Sequence, residues 1–314
     1  MRILFGPGAI GETIKDVQQA LASAGFDPHG CDGQYESATA ECVREYQQSI
    51  SLPAGTFDEN TWQLLMKSPI PTVSERCLQL TAAFEGHGFG HAVGNFDGAL
   101  LTWGIVGFTL ASGGIQSIVQ AVNHSKPELV QKVFGENCCE LLEVMGASRD
   151  TQTRWADRHT EDNGSLVEPW HSLFATFGSV PEVRCEQLRL VQCKYMQPAI
   201  KTAKKLRFSS ELGLALCFDI HVQNGGVKKS QLDRINETSD SPRIESEVRA
   251  QLANIVADTA LPRWRNDVRS RKLTIASGEG TVHRRHYVLS NWGLSGEYDA
   301  PELTAAAGAG AQEW

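Results

Sequence analysis

The stretch GNFDGALLTWGIVGF, residues 94–108, is the part of the sequence that decides the fold. β-Branched and aromatic residues lie between its glycines, a pattern that predicts short strands joined by tight turns. Apolar residues recur at helical spacing just before it, from Cys77 to Phe84. We therefore expect a helix over residues 74–86, followed by a β-hairpin or small sheet over residues 88–109.

Two carboxylates in contrasting surroundings belong to these elements. Glu85 ends the predicted helix, where the helix dipole and apolar neighbours such as Phe84 favour the protonated acid. Asp97 follows twelve residues later, and its glycine-flanked turn is expected to leave it solvated and ionised. A protonated acid paired with an ionised carboxylate is typical of glycosidases. Spacing alone also fits two unrelated surface carboxylates, because the chain contains 37 acidic residues.

The pattern Asp97-Gly98-x-x-x-Thr102-x-Gly104-Ile105-x-Gly107-Phe108 resembles the catalytic hairpin of the family 46 chitosanases, which belong to the lysozyme-like superfamily. The resemblance covers about residues 74–294. It implies a lysozyme-like α+β domain in which Glu85 is the general acid, Asp97 is the base that activates water, and Thr102 helps to hold this water. Such a held water predicts inversion at the anomeric carbon.

Two departures from this family point away from chitosan as the substrate. Ala99 stands where the chitosanases often carry a basic residue, and the segment from Glu85 to Asp97 is shorter than in those enzymes.

An apolar run over residues 214–226 looks like the central buried helix of these enzymes. Asp219 lies within this run and needs partners if it is buried. The candidates are arginines of the late helical segment, namely Arg263, Arg265, Arg269 and Arg271. We expect a structural ion pair rather than a direct catalytic role.

Several polar or aromatic residues near these motifs are predicted to contact a substrate: His87, Asn95, Trp103, Gln223 and Asn224. An ordinary helix C-cap explains the Gln223–Gly226 segment equally well. His87 and His91 have the spacing of a metal pair, but the glycines between them argue against a shared helix face, and no further ligand completes a set. No metal and no cofactor are expected.

The first 68 residues predict a three-helix module, with helices over residues 14–24, 37–49 and 58–66. The module resembles the peptidoglycan-binding domain of cell-wall hydrolases at residues that include Gly25, Asp32-Gly33-x-Tyr35, Tyr46-Gln47 and Thr61-Trp62-x-x-Leu65. This resemblance implies that Asp32, Tyr35 and Trp62 belong to a wall-binding module. A generic helical module that assists folding is the alternative. We expect a proline linker at residues 69–73, a catalytic domain at 74–300 and a tail at 301–314.

The composition excludes several classes of protein. With 41% hydrophobic and 21% charged residues the chain is expected to be globular. A net charge of −8 argues against binding to nucleic acid. The longest uncharged stretch, residues 98–123, contains five glycines and several polar residues, so membrane insertion is not expected. The eight cysteines form no Cys-x-x-Cys pair, and most are expected to be buried thiols.

These observations predict a mainly α-helical, monomeric glycoside hydrolase that cleaves β-1,4 bonds of peptidoglycan, of the lysozyme or muramidase type. A chitosanase and a noncatalytic wall-binding protein with a degenerate lysozyme-like domain are the alternatives. Gly6 and Pro7 interrupt any signal-peptide core. We therefore expect synthesis in the cytoplasm and action on the cell wall, reached through a phage holin or a secretion machinery. A phage endolysin and an antibacterial effector both fit this expectation.

Overall fold

The computed structural model describes residues 2–86, 88–236 and 244–304. Its helices are, in chain order, α1 (Glu12–Ser23), α2 (Ser37–Ser49), α3 (Glu59–Met66), α4 (Val73–Glu85), α5 (Gly114–Ser125), α6 (Pro127–Phe134), α7 (Cys138–Gly146), α8 (Arg149–Arg158), α9 (Trp170–Ser179), α10 (Pro181–Val191), α11 (Gln197–Lys205), α12 (Glu211–Asn224), α13 (Lys229–Asn236), α14 (Glu245–Asp258), α15 (Arg265–Ser277) and α16 (Pro301–Thr304). Shorter turns are a π-helix at Gln192–Met196 and 3-10 helices at Gly135–Asn137, Pro262–Trp264 and Leu289–Trp292.

The strands are short and pair only antiparallel in the described residues. They are β1 (Ile3–Phe5), β2 (Phe57–Asp58), β3 (Ala92–Val93), β4 (Thr102–Trp103), β5 (Phe108–Thr109), β6 (Glu279–Val282) and β7 (Arg285–Val288). β1 pairs with β2, β3–β4–β5 form a three-stranded sheet, and β6 pairs with β7. The predicted fold class, mainly helical with small sheets, is confirmed.

The described chain divides into two compact units. The first contains residues 2–84, 195–236 and 244–304, and the second contains residues 85, 86 and 88–194. The N-terminal helices and the C-terminal helices therefore share one unit, while the three-stranded sheet and helices α5–α10 make up the other.

In the first unit, two buried glutamines organise the N-terminal helices. The side chain of Gln18 donates to Asp32 at 3.0 Å and accepts from the backbone of Gly33 at 2.8 Å. Gln47 donates to Thr61 at 2.8 Å and accepts from the backbone of Gly55 at 2.8 Å. Each glutamine joins a helix to the chain segment that follows it and thereby satisfies buried polar groups.

The N-terminal strand also contacts the C-terminal part of the first unit. Arg2 forms an ion pair with the buried Glu211 and donates to the carbonyl of Gly293 at 2.8 Å. The backbone of Gly6 donates to the carbonyl of Asn291 at 3.1 Å, and a Cβ at Gly6 would lie 2.5 Å from the Asn291 side chain. The small residue at position 6 is therefore required by this close approach.

The core of the second unit is aromatic. Trp103 stacks on Phe177 with 5.6 Å between ring centroids, and its indole donates to the carbonyl of Phe174 at 3.0 Å. Gln187 is fully buried and bridges two loops, donating to the carbonyl of Phe89 at 2.9 Å and accepting from the backbone of Ile105 at 3.0 Å.

Two helical stretches of the chain are interrupted. A 3-10 turn at Gly135–Asn137 lies between α6 and α7, and the chain breaks between α14 and α15 at Pro262, which cannot donate a backbone hydrogen bond. The three helices of the N-terminal module lie where they were predicted, to within two residues. All eight cysteines are free, and half of them are buried: Cys42, Cys77, Cys138 and Cys217. Within the described ranges, no helix has both the length and the apolar character needed to cross a membrane.

Candidate active site

Helix α4 carries Glu85 at its last position. The helix begins with a capping box, in which the Glu75 carboxylate accepts from the Thr72 backbone at 2.6 Å and the Thr72 hydroxyl accepts from the Glu75 backbone at 3.2 Å. Most of α4 is buried, including Phe84, whereas Glu85 is half-buried. The buried helix therefore ends in a carboxyl group that solvent can partly reach.

The part of α4 that belongs to the first unit, which ends at Phe84, is packed within that unit. The Arg271 guanidinium lies over the ring of Phe84, 4.9 Å from its centroid, and Tyr287 packs on the same ring at 4.7 Å. One turn earlier, the hydroxyl of Thr81 donates to Asp219 at 3.1 Å. These contacts hold the residues immediately before Glu85.

Asp219 is the centre of a fully buried ion-pair cluster. Arg271 donates to its carboxylate at 2.6 Å, and Lys272 forms a second ion pair with it. Burial alone would raise the pKa of Asp219, but the two cations outweigh burial and lower this pKa to about 2. The expected structural ion pair is present with Arg271. By contrast, Arg269 pairs with the exposed Asp258 at 2.6 Å.

Lys272 is a member of this cluster that the sequence reasoning missed. It lies four residues after Val268 and three before Ile275, both buried, so helical periodicity places it on the inner face of α15. A lysine at such a position needs a carboxylate partner. This requirement is the signal that could have connected it to Asp219.

The three-stranded sheet begins seven residues after Glu85. β4 is its central strand, with Thr102 opposite Val93 on one side and opposite Thr109 on the other. Thr102 is half-buried and Trp103 is fully buried, because successive residues of a strand point to opposite faces.

The loop over residues 94–101 connects β3 to β4 and carries Asp97, which is exposed as predicted. The Asp97 carboxylate accepts a hydrogen bond from the backbone of Ala99 at 3.0 Å. Its neighbour Phe96 is 66% exposed, and the sequence reasoning did not single it out. The signal that could have identified Phe96 is its position next to Asp97 in a glycine-flanked turn. An aromatic side chain in such a turn is expected to stay exposed, because the turn does not pack into a core.

The predicted substrate contact through Trp103 is wrong. Its side chain has no exposed surface and its indole N–H is used by the carbonyl of Phe174. Sequence could not distinguish this buried face from the exposed one, because aromatic residues occur on both.

The other predicted substrate contacts have different surroundings. Gln223 accepts from Lys272 at 2.6 Å, beside the Asp219 cluster. The side-chain oxygen of Asn224 is shielded from solvent and accepts no hydrogen bond from the described residues. Gly225 ends α12 in the left-handed conformation, which agrees with the helix-cap interpretation of this segment. His87 lies outside the described residues.

The two aromatic residues assigned to the N-terminal module, Tyr35 and Trp62, are interior residues, so they pack its core and are not available to contact the wall directly. Tyr35 is 1% exposed and Trp62 is 5% exposed. The Trp62 indole donates to the carbonyl of Pro69 at 2.9 Å. Asp32 is exposed, but its carboxylate accepts from the backbone of Gln34 at 2.9 Å, and this bond lowers its pKa.

A surface pocket of about 270 Å³ lies on this module instead. It is lined by Ile3, Leu52, Pro53, Ala54, Gly55, Thr56 and Asp58. The turn at Pro53–Thr56 is exposed and supplies most of the lining. The pocket therefore offers an accessible surface that the buried aromatic residues do not.

Two kinds of similarity to known proteins accompany this geometry. Residues 10–65 match the family model described as "Putative peptidoglycan binding domain". A comparison with curated proteins finds no match.

The second similarity is to solved structures of chitosanases. A mutant chitosanase from Bacillus subtilis MY002, complexed with 6 GlcN, is 17% identical, with a TM-score of 0.50, covering 71% of this chain and 100% of that one. The GH46 chitosanase of Gynuella sunshinyii, in complex with chitotetraose, is also 17% identical, with a TM-score of 0.47 over 67% of this chain and 88% of that one. At 17% identity, the likeness with a TM-score of 0.50 shows the fold alone. The chain thus combines a segment that matches the peptidoglycan-binding model with a fold similar to that of a chitosanase.

Proposed function

We propose that this protein is a glycoside hydrolase that cleaves β-1,4 bonds in the glycan of peptidoglycan. One observation carries the proposal: a largely buried helix ends at Glu85, and the sheet that follows presents Asp97 on an exposed loop. A helix-end acid and a solvated carboxylate on a chitosanase-like fold are the two groups that glycosidic cleavage requires.

In the proposed reaction, the Glu85 carboxyl donates its proton to the glycosidic oxygen as the bond to the anomeric carbon breaks. Asp97 removes a proton from a water molecule, whose oxygen attacks the anomeric carbon from the opposite face. The Thr102 hydroxyl, on the strand after the Asp97 loop, helps to orient this water. The products are a hemiacetal of inverted configuration and a free hydroxyl on the leaving sugar.

Peptidoglycan is favoured as the substrate by the N-terminal match over residues 10–65. Ala99, where the chitosanases often carry a basic residue, supports the same choice. We propose that the pocket beside Pro53–Thr56 contacts the wall, because the module's aromatic residues are buried. The function requires access to the cell wall, for which a phage holin or a secretion machinery would serve an endolysin or an antibacterial effector, respectively.

Chitosan is the second candidate substrate, favoured by the net charge of −8, which attracts a cationic polymer. A reducing-end assay on purified sacculi and on chitosan, at equal enzyme concentration, separates the two. The proposal predicts faster release from sacculi. Release from chitosan alone would assign the protein to the second candidate, and release from neither would contradict both.

A further inference from the structure

Asn95 ties the loop that carries Asp97 to helix α8 and to Thr160, just beyond the C-terminal end of α8, through both its side chain and its backbone. Its amide nitrogen donates to the Asp157 carboxylate at 2.7 Å, and its backbone N–H donates to the Thr160 hydroxyl at 2.8 Å. The Thr160 hydroxyl in turn donates to the carbonyl of Ala156 at 2.7 Å. Asn95 is therefore bonded both to Asp157 of α8 and to Thr160, which is itself hydrogen-bonded to α8.

The same side chain also closes the loop upon itself. The Asn95 oxygen accepts hydrogen bonds from the backbone of Gly98 and of Leu100, both at 3.1 Å. These two donors flank the turn that immediately follows Asp97. Leu100 has φ +70°, a left-handed conformation that is unfavourable for a leucine. Its side chain is 3% exposed, so burial and the Asn95 oxygen together hold the residue there.

Further contacts restrict the backbone on both sides of Asp97. Gly94 donates to the carbonyl of Gly164 at 3.0 Å, and a Cβ at Gly94 would lie 2.4 Å from the Thr160 hydroxyl. Arg149 donates to the carbonyl of Gly98 at 3.2 Å. Asp97 itself is exposed and has no such anchor to α8 among the hydrogen bonds of the described residues, so its position depends on its neighbours.

We infer that Asn95 is a positioning residue for Asp97, rather than the substrate contact that the sequence predicts. The inference depends on the proposed function, because it assigns Asn95 to the reaction through the base. The Asn95 oxygen already accepts two hydrogen bonds, and one amide hydrogen is used by Asp157. A side chain used in this way serves the geometry of its own loop.

The experiment compares Asn95→Ala with wild type in the full chain, by steady-state kinetics on peptidoglycan fragments and by amide hydrogen exchange. A small displacement of a catalytic group costs up to about a hundredfold in rate. We expect kcat to fall about tenfold to a hundredfold while KM stays within about twofold, and the amides of Gly98 and Leu100 to exchange faster. Asn254→Ala, at an exposed asparagine of α14, is the matched control and should leave kcat, KM and the exchange of both amides unchanged.

A double variant that exchanges the side chains of Asn95 and Asp157 distinguishes a loss of Asp97 positioning from a general loss of structure. Asn95→Asp keeps the oxygen that accepts from Gly98 and Leu100, but places a second carboxylate against Asp157. Asp157→Asn restores a donor for that carboxylate. We expect Asn95→Asp to lower kcat and the combination with Asp157→Asn to recover most of it.

The outcomes distinguish this inference from the proposed function. Wild-type turnover in Asp97→Asn would overturn the proposed function. Unchanged exchange at Gly98 and Leu100 in Asn95→Ala would overturn the inference alone, as would faster exchange without loss of kcat. A rise in KM with unchanged kcat would return Asn95 to the role of a substrate contact.

Discussion

Glu85 is the residue on which the proposed chemistry depends most directly. Replacing it with glutamine keeps the size of the side chain but removes the proton that the leaving oxygen needs. Because general acid catalysis contributes about 10²–10⁴-fold, we expect Glu85→Gln to lower kcat by that factor and to leave the unfolding temperature unchanged. Steady-state hydrolysis and thermal unfolding measure the two quantities. Glu128→Gln, at an exposed glutamate of α6, is the control, and equal activity in both variants would remove Glu85 from the mechanism.

Asp219 is predicted to matter for stability. Its removal leaves Arg271 and Lys272 buried without a carboxylate, and such a loss costs about 3–5 kcal/mol of unfolding free energy. Asp219→Asn should therefore unfold at a markedly lower urea concentration than wild type. Asp258→Asn weakens two exposed ion pairs, with Arg269 and with Arg234, and each such pair contributes less than about 1 kcal/mol. Similar losses of unfolding free energy in the two variants would contradict the larger contribution of the buried cluster to stability.

The same carboxylate predicts a dependence of stability on pH. Its folded-state pKa of about 2 lies below its ordinary value of 3.8. The stabilisation by Asp219 is therefore fully present above about pH 4 and is lost as the pH falls through about 2. The difference in unfolding free energy between wild type and Asp219→Asn should shrink from pH 5 to pH 2. A difference that stays constant over this range would contradict the low pKa.

At the scale of elements, the proposed mechanism predicts the stereochemistry from the distance between the end of α4 and the β3–β4 loop. An inverting enzyme places its carboxyl groups about 6.5–9.5 Å apart to leave room for water, and a retaining enzyme about 5–5.5 Å apart. We expect inversion, and Thr102→Ala should lower kcat more than it raises KM because it disturbs the water. Proton NMR of the first product, recorded before mutarotation, gives the configuration. An initial β-anomer from a β-linked substrate would contradict the inverting mechanism.

The elements that sequence predicted well are those whose signals are local. α2 begins and ends where its apolar stripe predicts, and Asp58 caps α3 by accepting from the Thr61 backbone at 2.8 Å. The glycine-rich run after α4 folds as a small sheet, as expected. Sequence gives a weaker signal for α8 and α13, because both are rich in charged and polar residues and few apolar side chains mark their inner faces.

Sequence predicted the site less well where burial decides the role of a residue. Trp103, Tyr35 and Trp62 are aromatic residues close to recognisable motifs, and all three are core residues. Their sequence neighbours could not reveal this, because burial depends on contacts distant in the chain, such as that of Trp103 with Phe174. The partners of Asn95 at Asp157 and Thr160 were invisible for the same reason.

For the whole molecule, the N-terminal module is predicted to hold the enzyme on the wall and so raise the local substrate concentration. Filling the pocket beside Pro53–Thr56 tests this without removing Arg2 from Glu211. We expect Ala54→Trp to weaken cosedimentation with intact sacculi while hydrolysis of soluble fragments stays unchanged. Ala22→Trp, at an exposed position of α1, is the matched control. Equal binding by both variants would exclude this pocket as the wall contact.

The sequence predicted a module of residues 1–68 separated by a linker, and this boundary stays a prediction. The first strand belongs to the same compact unit as the C-terminal helices. It is joined to them by the contacts of Arg2 with Glu211 and of Gly6 with Asn291. Deleting residues 1–68 would therefore remove an ion-pair partner of the buried Glu211. A point substitution on the module surface is the cleaner test of wall binding.

The most direct test of the central claim is mass spectrometry of purified sacculi after digestion and borohydride reduction. The proposed muramidase predicts soluble muropeptides with reduced muramic acid at their ends from wild type, and none from Glu85→Gln or Asp97→Asn at equal concentration. Reduced glucosamine ends would instead indicate cleavage of the other glycan bond. Intact glycan strands after wild-type treatment, or equal release by the two variants, would contradict glycan cleavage by Glu85 and Asp97.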